Sequence, residues 1–260
     1  MTTPCLCTNR TLCQMQLHLQ ESGMSTQEMD IFERGRKKRI VKRGENLFDQ
    51  DTDPAGLYCV QSGHVLLKHV DRFGNETAFR VVGPGELIGL RSYFAGQTHV
   101  ATAQALSRTY VCFHPRAVIH RLLDSSIDLA KCFLCDLARD PGPADTLKLR
   151  NLKLPLRIRL MYLLVILKRH GGTFNHGESL TFNLPLKRLD IAALIGARPE
   201  SVTRVIKDLE RDGVAIFHDH EVTVPHLDQL MNFVCADQEQ RNGMDIPVAA
   251  SPPVARRKTG

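Results

Sequence analysis

The sequence predicts an α+β fold in which an N-terminal β-roll is joined by a helix to a C-terminal winged helix-turn-helix. Glycine recurs through residues 44–96 between short apolar segments, which is typical of a small barrel or jelly roll. Apolar residues then take three-and-four spacing over 118–137, which indicates a helix. Residues 186–211 have the pattern of two helices around a turn. A chain of 260 residues is long enough for two domains.

The roll is predicted from alternating side chains and turns. Residues 57–61 and 65–70 alternate as strands packed on both faces. The segment DRFGNE between strands is a turn in which Gly74 can take a positive φ.

The stripe over 118–137 can serve as core or as a dimer seam. Pro141 and Pro143 interrupt it, because each proline removes an amide donor and clashes with the preceding helical turn. A second helix follows in LPLRIRLMYLLVILKRHGG and stops at the paired glycines.

The charge and cysteine content limit the function without naming it. The net charge is +6, but residues 34–43, RGRKKRIVKR, hold seven basic side chains and no acidic one, a run typical of a solvated strand edge or loop. No apolar run is long enough for a membrane helix and no secretory signal is present, so no membrane partner and a cytoplasmic location are expected. Eight cysteines in a reducing compartment favour metal chemistry where they cluster and core packing where they are isolated.

The segment LPLKRLDIAALIGARPESVTRVIKDLERDGV carries the helix-turn-helix pattern. It predicts a helix over 186–194, a turn over 195–197 and a second helix from Pro199, with Arg198 a poor cap. VAIFHDHEVTV then reads as a two-stranded wing, which distinguishes a DNA-binding domain from an ordinary amphipathic helix. The candidate DNA-binding residues are Glu200, Ser201, Thr203, Arg204, Lys207 and Arg211.

These side chains suit the major groove. Arg204 can donate two hydrogen bonds to guanine, and Glu200 can accept one from the amino group of cytosine. Lys207 and Arg211 can hold phosphates.

The order of roll, helix and winged helix-turn-helix resembles the CRP/FNR family of bacterial transcription regulators over residues 5–235. LYCVQSGHV, VVGPGELIGL and RLDIAALIGARPESVTRVIKDLERDGV carry the likeness, which is strongest to the FNR branch. The resemblance implies a regulator and not an enzyme, which binds double-stranded DNA as a homodimer at an inverted TTGA repeat. It also implies RNA polymerase as a partner.

The FNR branch holds a [4Fe-4S] cluster with three N-terminal cysteines and one from the roll. CTNRTLC matches the second and third ligands at Cys7 and Cys13, and TYVCFHP places Cys112 as the fourth. Cys5 would be the first, but one residue separates it from Cys7 where the branch has two. Cys59 is a replacement candidate, although core packing on a buried strand is the better explanation for it. Zinc accepts the same ligands, so they do not identify the metal.

The resemblance argues against a cyclic nucleotide as the effector. Cyclic-AMP-binding relatives grip the phosphate with an Arg-Ser pair, and the corresponding stretch AGQTHVATA supplies His99 and Val100. Gly85 and Glu86 are retained, but no cation closes the pocket.

Two alternatives and an effector-independent regulator stay open at this point. Haem would need ligands such as His64, His69, His99 or Met161. A thiol-disulfide enzyme would use Cys132 and Cys135 of CFLC, for which core packing on a helix is the simpler explanation.

The resulting organisation has five parts. These are a cysteine-bearing segment at 1–30, the roll at 31–115, a dimerisation helix with the DPGP break at 116–150, the winged helix-turn-helix at 151–235, and a disordered tail at 236–260.

Overall fold

The computed structural model describes residues 23, 25–139, 154–168, 173–174, 179–226, 228 and 230. The helices are α1 Thr26–Gly35, α2 Leu90–Ala95, α3 Arg116–Ser125, α4 Ile127–Arg139, α5 Leu156–Lys168, α6 Arg188–Ile195 and α7 Pro199–Arg211. The strands of the N-terminal half are β1 Lys37–Val41, β2 Asn46–Phe48, β3 Gly56–Ser62, β4 Val65–Val70, β5 Glu76–Val82, β6 Leu87–Ile88, β7 Thr102–Ala105 and β8 Thr109–Pro115. The C-terminal strands are β9 Thr173–Phe174, β10 Leu180–Asn183, β11 Ile216–His218 and β12 Glu221–Val224.

Two antiparallel sheets form the predicted roll. Their strand orders are β1-β8-β3-β6 and β2-β7-β4-β5. Alternate side chains of both sheets meet in one core, to which Val60 and Val111 contribute from the first sheet and Val65 and Ala103 from the second. Gly74 takes φ 83° in the turn between β4 and β5, as predicted. The jelly-roll prediction is confirmed.

Three helices cover the opposite side of the β1-β8-β3-β6 sheet, which we call the outer face. Phe32 of α1, Ile119 of α3 and Phe133 of α4 pack there. Beneath the helices lie the alternate side chains of β3 and β8 that face them, including Cys59 and Cys112. This second core belongs to the helices as much as to the roll.

The single helix predicted over 118–137 is wrong, because the structure divides it into α3 and α4. Ser126 between them takes an extended conformation with φ −142°. Its side-chain oxygen accepts a hydrogen bond from the amide of Leu129 at 3.3 Å and so caps the new helix. Leu129 is buried, but Leu134 of the predicted stripe is 63 % exposed. The DPGP break at 140–143 lies outside the described residues.

The basic run forms the edge of the roll. Strand β1 pairs with β8 and lies at the end of its sheet. Lys37, Lys38 and Arg39 are exposed on it, which agrees with the solvated strand edge that the sequence predicts. Helix α1 precedes this edge and runs across residue 30, the predicted boundary between the cysteine-bearing segment and the roll.

The C-terminal half is built around α5. Leu160, Met161 and Leu164 of that helix are buried against α6, α7 and the β11-β12-β10-β9 sheet. Val81 and Leu106 of the roll join the same cluster. Within the part of the chain that the structure describes, no helix is long and apolar enough to span a bilayer.

Candidate DNA interface and sensor face

The turn of the helix-turn-helix is a tight glycine stop. Gly196 takes φ 62° at the end of α6. The amides of Gly196 and Ala197 donate to the carbonyls of Ala193 and Ala192 at 3.2 and 2.8 Å, an arrangement typical of a Schellman ending. Helix α6 begins two residues later and ends one residue later than the sequence predicts.

Helix α7 follows the amphipathic pattern. It begins at Pro199, and Arg198 makes no side-chain cap hydrogen bond. Val202, Ile206 and Leu209 are buried in the domain core. The opposite face of the helix is therefore free to meet a partner.

The predicted DNA-binding residues lie on that face. Glu200, Thr203, Arg204, Lys207 and Arg211 are exposed, and Ser201 is half-buried.

Their local partners differ. The hydroxyl of Thr203 donates to the carbonyl of Pro199 at 3.1 Å. Arg211 is ion-paired to Asp208 at 2.9 Å and lies 3.5 Å from Asp212. Arg204 and Lys207 have no ion-pair partner among the described residues, which leaves their cationic groups available to an anionic ligand.

Arg159 of α5 holds the turn in place, a role that no pattern in the sequence indicates. Its guanidinium donates to the carbonyls of Leu154 at 2.7 Å, Ile195 at 3.1 Å and Gly196 at 3.3 Å. These carbonyls include two at the C-terminal end of α6, where backbone acceptors lack helical partners. Arg159 therefore fixes the end of α6, from which α7 starts.

Two further contacts orient α7. Arg157 of α5 pairs with Asp212, the C-cap residue of α7, and lowers the pKa of that carboxyl by hydrogen bonding. Glu210 accepts a hydrogen bond from the amide of Phe217 in β11 at 3.2 Å. The predicted wing is present, with β11 and β12 antiparallel around a tight loop in which Asp219 takes φ 49°.

Cys112, the candidate fourth ligand, lies on the outer face of the roll and is 2 % exposed. In β8 it alternates with Val111 and Phe113, which pack toward the inter-sheet core. Cys59 of β3 is directly opposite it in the register and is also buried. On the other side its register partner is Lys38 of β1. A buried thiol is therefore placed beside an exposed cation at the sheet edge.

His114 lies two residues along from Cys112 on the same strand and is fully buried. Its ring stacks on Phe32 of α1, with centroids 4.9 Å apart. Neither ring nitrogen has a hydrogen-bond partner among the described residues. Burial, together with the nearby charge of Arg36, lowers the pKa of His114 to about 3, so the ring is neutral. Sequence reasoning missed this residue, although it stands within the quoted TYVCFHP.

Four ligands are needed to hold a [4Fe-4S] cluster. Cys5, Cys7 and Cys13 lie outside the described residues, and no group of three or more ligand side chains occurs among those that are described. The described part of the outer face offers the thiols of Cys59 and Cys112, which are paired in the register, and the imidazole of His114, whose nitrogens have no hydrogen-bond partner there. These donors are of the kinds that iron–sulfur clusters accept, but the described residues alone do not complete a site.

The cysteines of CFLC behave differently from the prediction. Cys132 is half-buried and Cys135 is exposed, so core packing of both is wrong for Cys135. Helix α4 turns this residue and Leu134 away from the core. Neither cysteine forms a disulfide.

The position of the family's phosphate-gripping pair carries no cation. The ring of His99 is 3 % exposed and stacks on Phe48 at 3.7 Å, and burial lowers its pKa. Glu86 is paired with Arg80 at 3.1 Å and accepts from the amide of Gly83 at 2.7 Å. The absence of a cyclic nucleotide stays a prediction.

The candidate haem ligands do not form one group. Met161 is buried in the C-terminal core. His69 lies in β4 on the surface of the roll, where its Nδ1 is 3.2 Å from the carbonyl oxygen of Val100. Nothing in their placement brings the methionine to a histidine.

Two family profiles match the chain. The cyclic nucleotide-binding domain matches residues 38–126. The Crp-like helix-turn-helix domain matches residues 158–233. Between them they span the roll with α3 and most of the C-terminal half.

Curated relatives align with this chain over about three quarters of its length. The cyclic AMP receptor protein of Thermus thermophilus is 31 % identical over 196 residues, which are 74 % of this chain and 85 % of the relative. The transcriptional activator protein FnrA of Stutzerimonas stutzeri is 28 % identical over 197 residues, covering 75 % and 78 %. The transcriptional activator protein anr of Pseudomonas aeruginosa is 27 % identical over 205 residues, covering 78 % and 82 %.

Solved structures share the fold. FixK2 from Bradyrhizobium japonicum superposes with a TM-score of 0.64 at 21 % identity, over 76 % of this chain and 96 % of that one. TTHB099 from Thermus thermophilus gives a TM-score of 0.61 at 21 % identity, over 76 % and 96 %. These structures show the fold, and the two family profiles together with the relatives show that the chain belongs to the CRP/FNR family of transcriptional regulators, which are homodimeric DNA-binding proteins and not enzymes.

Proposed function

We propose that this regulator senses oxygen, or nitric oxide, through a [4Fe-4S] cluster held between its N-terminal cysteines and the outer face of the roll. The observation that carries the proposal is the placement of Cys112, a buried thiol on the face that α1 covers. Cys7 and Cys13 supply two more ligands, and the remaining position is the one that the sequence leaves open between Cys5 and Cys59.

The chain length permits this arrangement. Cys13 precedes Ser25, the cap of α1, by 12 positions. An extended chain of that length spans at most about 40 Å. Helix α1, which follows Ser25, packs on the outer face through Phe32.

The charges around Cys112 support a thiolate-bound cluster. Lys38 is its neighbour across β1, and side chains of directly paired residues lie on the same face of a sheet. A cation on the neighbouring strand would offset part of the negative charge of the thiolate ligands. The basic edge strand thus has a role beyond solubility.

The outer face also connects the sensor to the rest of the regulator. Ile119 of α3 and Leu129 and Phe133 of α4 complete the core that contains Cys112. A cluster held here would supply an oxygen-labile link between the N-terminal segment and this core. Its loss would remove one of the contacts that hold α1, α3 and α4 together and would weaken the dimer.

Dimerisation couples this weakening to the occupancy of the operator. Each half of an inverted TTGA repeat is read by one recognition helix, so occupancy depends on both subunits. Arg204 reads guanine, Glu200 accepts from cytosine, Thr203 meets a thymine methyl, and Lys207 holds phosphate. RNA polymerase is the further partner. The proposed location of the regulator is the cytoplasm.

Metal content tests the sensor. Anaerobically prepared protein should carry about four iron and four sulfide per subunit, as expected for this type of cluster. Cys7→Ser, Cys13→Ser and Cys112→Ser should each abolish it, whereas Cys135→Ser, at an exposed cysteine of α4, should not. Stoichiometric zinc without sulfide would show a zinc regulator instead, and a haem band would show a haem regulator.

Operator selection tests the DNA interface. Random duplexes should yield TTGA half-sites in inverted order. Arg204→Ala should cost about 1–3 kcal/mol at the guanine pair and relax discrimination there. Lys207→Ala is the matched control, since it should weaken all sequences alike and lower the salt slope by about one. An equal loss for every sequence in Arg204→Ala would place α7 outside the major groove.

A further inference from the structure

We infer that Arg157 of α5 sets the availability of Arg211 to DNA phosphate by competing with it for one carboxylate, that of Asp212. The inference rests on the proposed function, in which α7 lies in the major groove, and on the predicted phosphate contact of Arg211. It makes Arg157 a positioning residue, which acts on DNA binding through two neighbouring side chains.

The carboxylate of Asp212 lies between two guanidinium groups. One of its oxygens, Oδ2, is paired with Nη1 of Arg157, and the other, Oδ1, lies 3.5 Å from Nε of Arg211. Hydrogen bonding to Arg157 is the largest cause that lowers the pKa of Asp212, and Arg211 contributes less. Asp212 is therefore held mainly from α5, and its hold on Arg211 is loose.

The position of Asp212 explains why it needs a cation. It is the C-cap residue of α7, at the negative end of the helix dipole, which disfavours a carboxylate and favours Lys or Arg. Among the described residues, the cations that reach its carboxylate are Arg157 and Arg211. When Arg157 is removed, we expect the carboxylate to turn to Arg211.

Arg211 is the cation of this group that faces the solvent. Its side chain is 72 % exposed, against 33 % for Arg157. It lies one helical turn beyond Lys207, and its Nη2 is paired with Asp208 at 2.9 Å. A guanidinium has five N–H donors, so pairing with one carboxylate leaves donors for a phosphate. A second carboxylate would occupy more of these donors and would repel the phosphate.

The four charges balance only while Arg157 is in place. Two cations, Arg157 and Arg211, then face two carboxylates, those of Asp208 and Asp212. Without Arg157, one cation faces both carboxylates, and the C-terminal end of α7 has a net negative charge where the phosphate backbone is proposed to pass. The first turn of α5 thus controls a phosphate contact of the recognition helix.

The salt dependence of DNA binding tests this relation. The full-length protein is titrated with a fluorescent random duplex at several salt concentrations, because each phosphate contact contributes about 0.9 to the slope of log K against log salt concentration, whatever the sequence. Arg211→Ala should lower the slope by about 0.9 per bound subunit. Arg157→Met should lower it by the same amount, and the variant with both substitutions should show no further loss.

Removal of the competing carboxylate provides the rescue. Asp212→Asn keeps the size of the side chain and removes its charge, so adding it to Arg157→Met should restore the wild-type slope. Asp212→Asn alone should also keep that slope. Because the side chains of Arg157 and Asp212 are partly exposed, breaking their pair should leave the protein folded.

Arg34→Met is the matched control. Arg34 forms an exposed ion pair with Asp30 at 2.8 Å on α1, far along the chain from the DNA-binding domain, and its loss changes the net charge by the same amount. This variant should leave the salt slope unchanged.

The outcomes separate the inference from the proposed function. An unchanged slope in Arg211→Ala would remove Arg211 from the proposed DNA interface and overturn the inference with it. A lower slope in Arg211→Ala together with an unchanged slope in Arg157→Met would overturn the inference alone. A loss in Arg157→Met that adds to that of Arg211→Ala, and that Asp212→Asn does not restore, would also overturn it, since Arg157 would then bind phosphate itself.

Discussion

The face of α7 and the outer face of the roll both carry polar side chains, but those of α7 are exposed and those of the outer face are buried. On α7 the polar residues are exposed and the apolar ones are buried. On the outer face Cys112 and His114 are buried, and cations such as Lys38 stay at the rim. A surface that meets DNA can be assembled from solvated side chains, whereas the proposed sensor face has its donors within a core.

This difference in burial determines whether a substitution changes function alone or stability as well. Removing a solvated side chain from α7 should change binding and leave folding almost unaffected. Any change on the outer face alters both, because its donors are part of a core. Four substitutions, taken from the largest expected effect to the smallest, break or sharpen this contrast.

Phe32→Ala should have the largest effect. Phe32 is fully buried and joins α1 to the outer face by stacking on His114. Deleting a buried phenylalanine costs about 3–5 kcal/mol through lost burial and the cavity that remains. Denaturant unfolding of the cluster-free protein measures it. Phe73→Ala, at a 74 % exposed ring, should change the free energy of unfolding by less than about 0.5 kcal/mol, and a similar loss in both variants would contradict the structure.

Arg159→Met tests whether the DNA-reading face depends on a half-buried support of its own. The variant leaves the carbonyls of Ile195 and Gly196 without their donor, which should cost about 1–3 kcal/mol of stability. Affinity should fall more for the TTGA duplex than for random duplexes, because base contacts need the orientation of α7 and phosphate contacts depend on it less. Arg159→Lys keeps the charge without the planar guanidinium, so its stability and affinity should lie between those of the wild type and Arg159→Met. An unchanged free energy of unfolding with an equal loss of affinity for every duplex would show instead that Arg159 contacts DNA phosphate.

The sequence predicted the DNA-reading half better than the sensor half for a physical reason. An exposed amphipathic helix is determined by local spacing, so the buried stripe of α7 and its polar face could be assigned from residues 199–211 alone. The break at Ser126 was missed because apolar spacing continues across it, and only the cap to Leu129 shows that a new helix begins. The exposure of Cys135 likewise depends on how α4 is turned against the roll.

The outer face could not be predicted because burial of a strand depends on what covers it. Cys112 was found through a resemblance and not through its surroundings. His114 has no local signal, since alternation along β8 does not say which face α1 will cover. Arg159 acts on a turn 36 positions away in the chain, which no spacing rule connects to it.

His114→Leu tests whether the unpaired ring destabilises the core of the outer face. Leucine is of similar size and needs no hydrogen bond, so the cluster-free protein should gain about 1 kcal/mol of stability once the unsatisfied nitrogens are removed. Unfolding by denaturant measures the change. A destabilised apoprotein would mean that the ring is a satisfied core residue.

Thr203→Ser should have the smallest effect and tests the DNA-reading face at the level of one methyl group. Serine keeps the hydroxyl that donates to Pro199 and removes only the methyl. If that methyl packs on a thymine methyl, its loss should cost at most about 0.8 kcal/mol, the value of one buried CH₂. Replacing the half-site thymines by deoxyuridine removes the partner methyl, so Thr203→Ser should then have no effect. Titration of both proteins with both duplexes gives the coupling energy directly. An unchanged loss on the deoxyuridine duplex would mean that Thr203 acts through the helix backbone and not through the base.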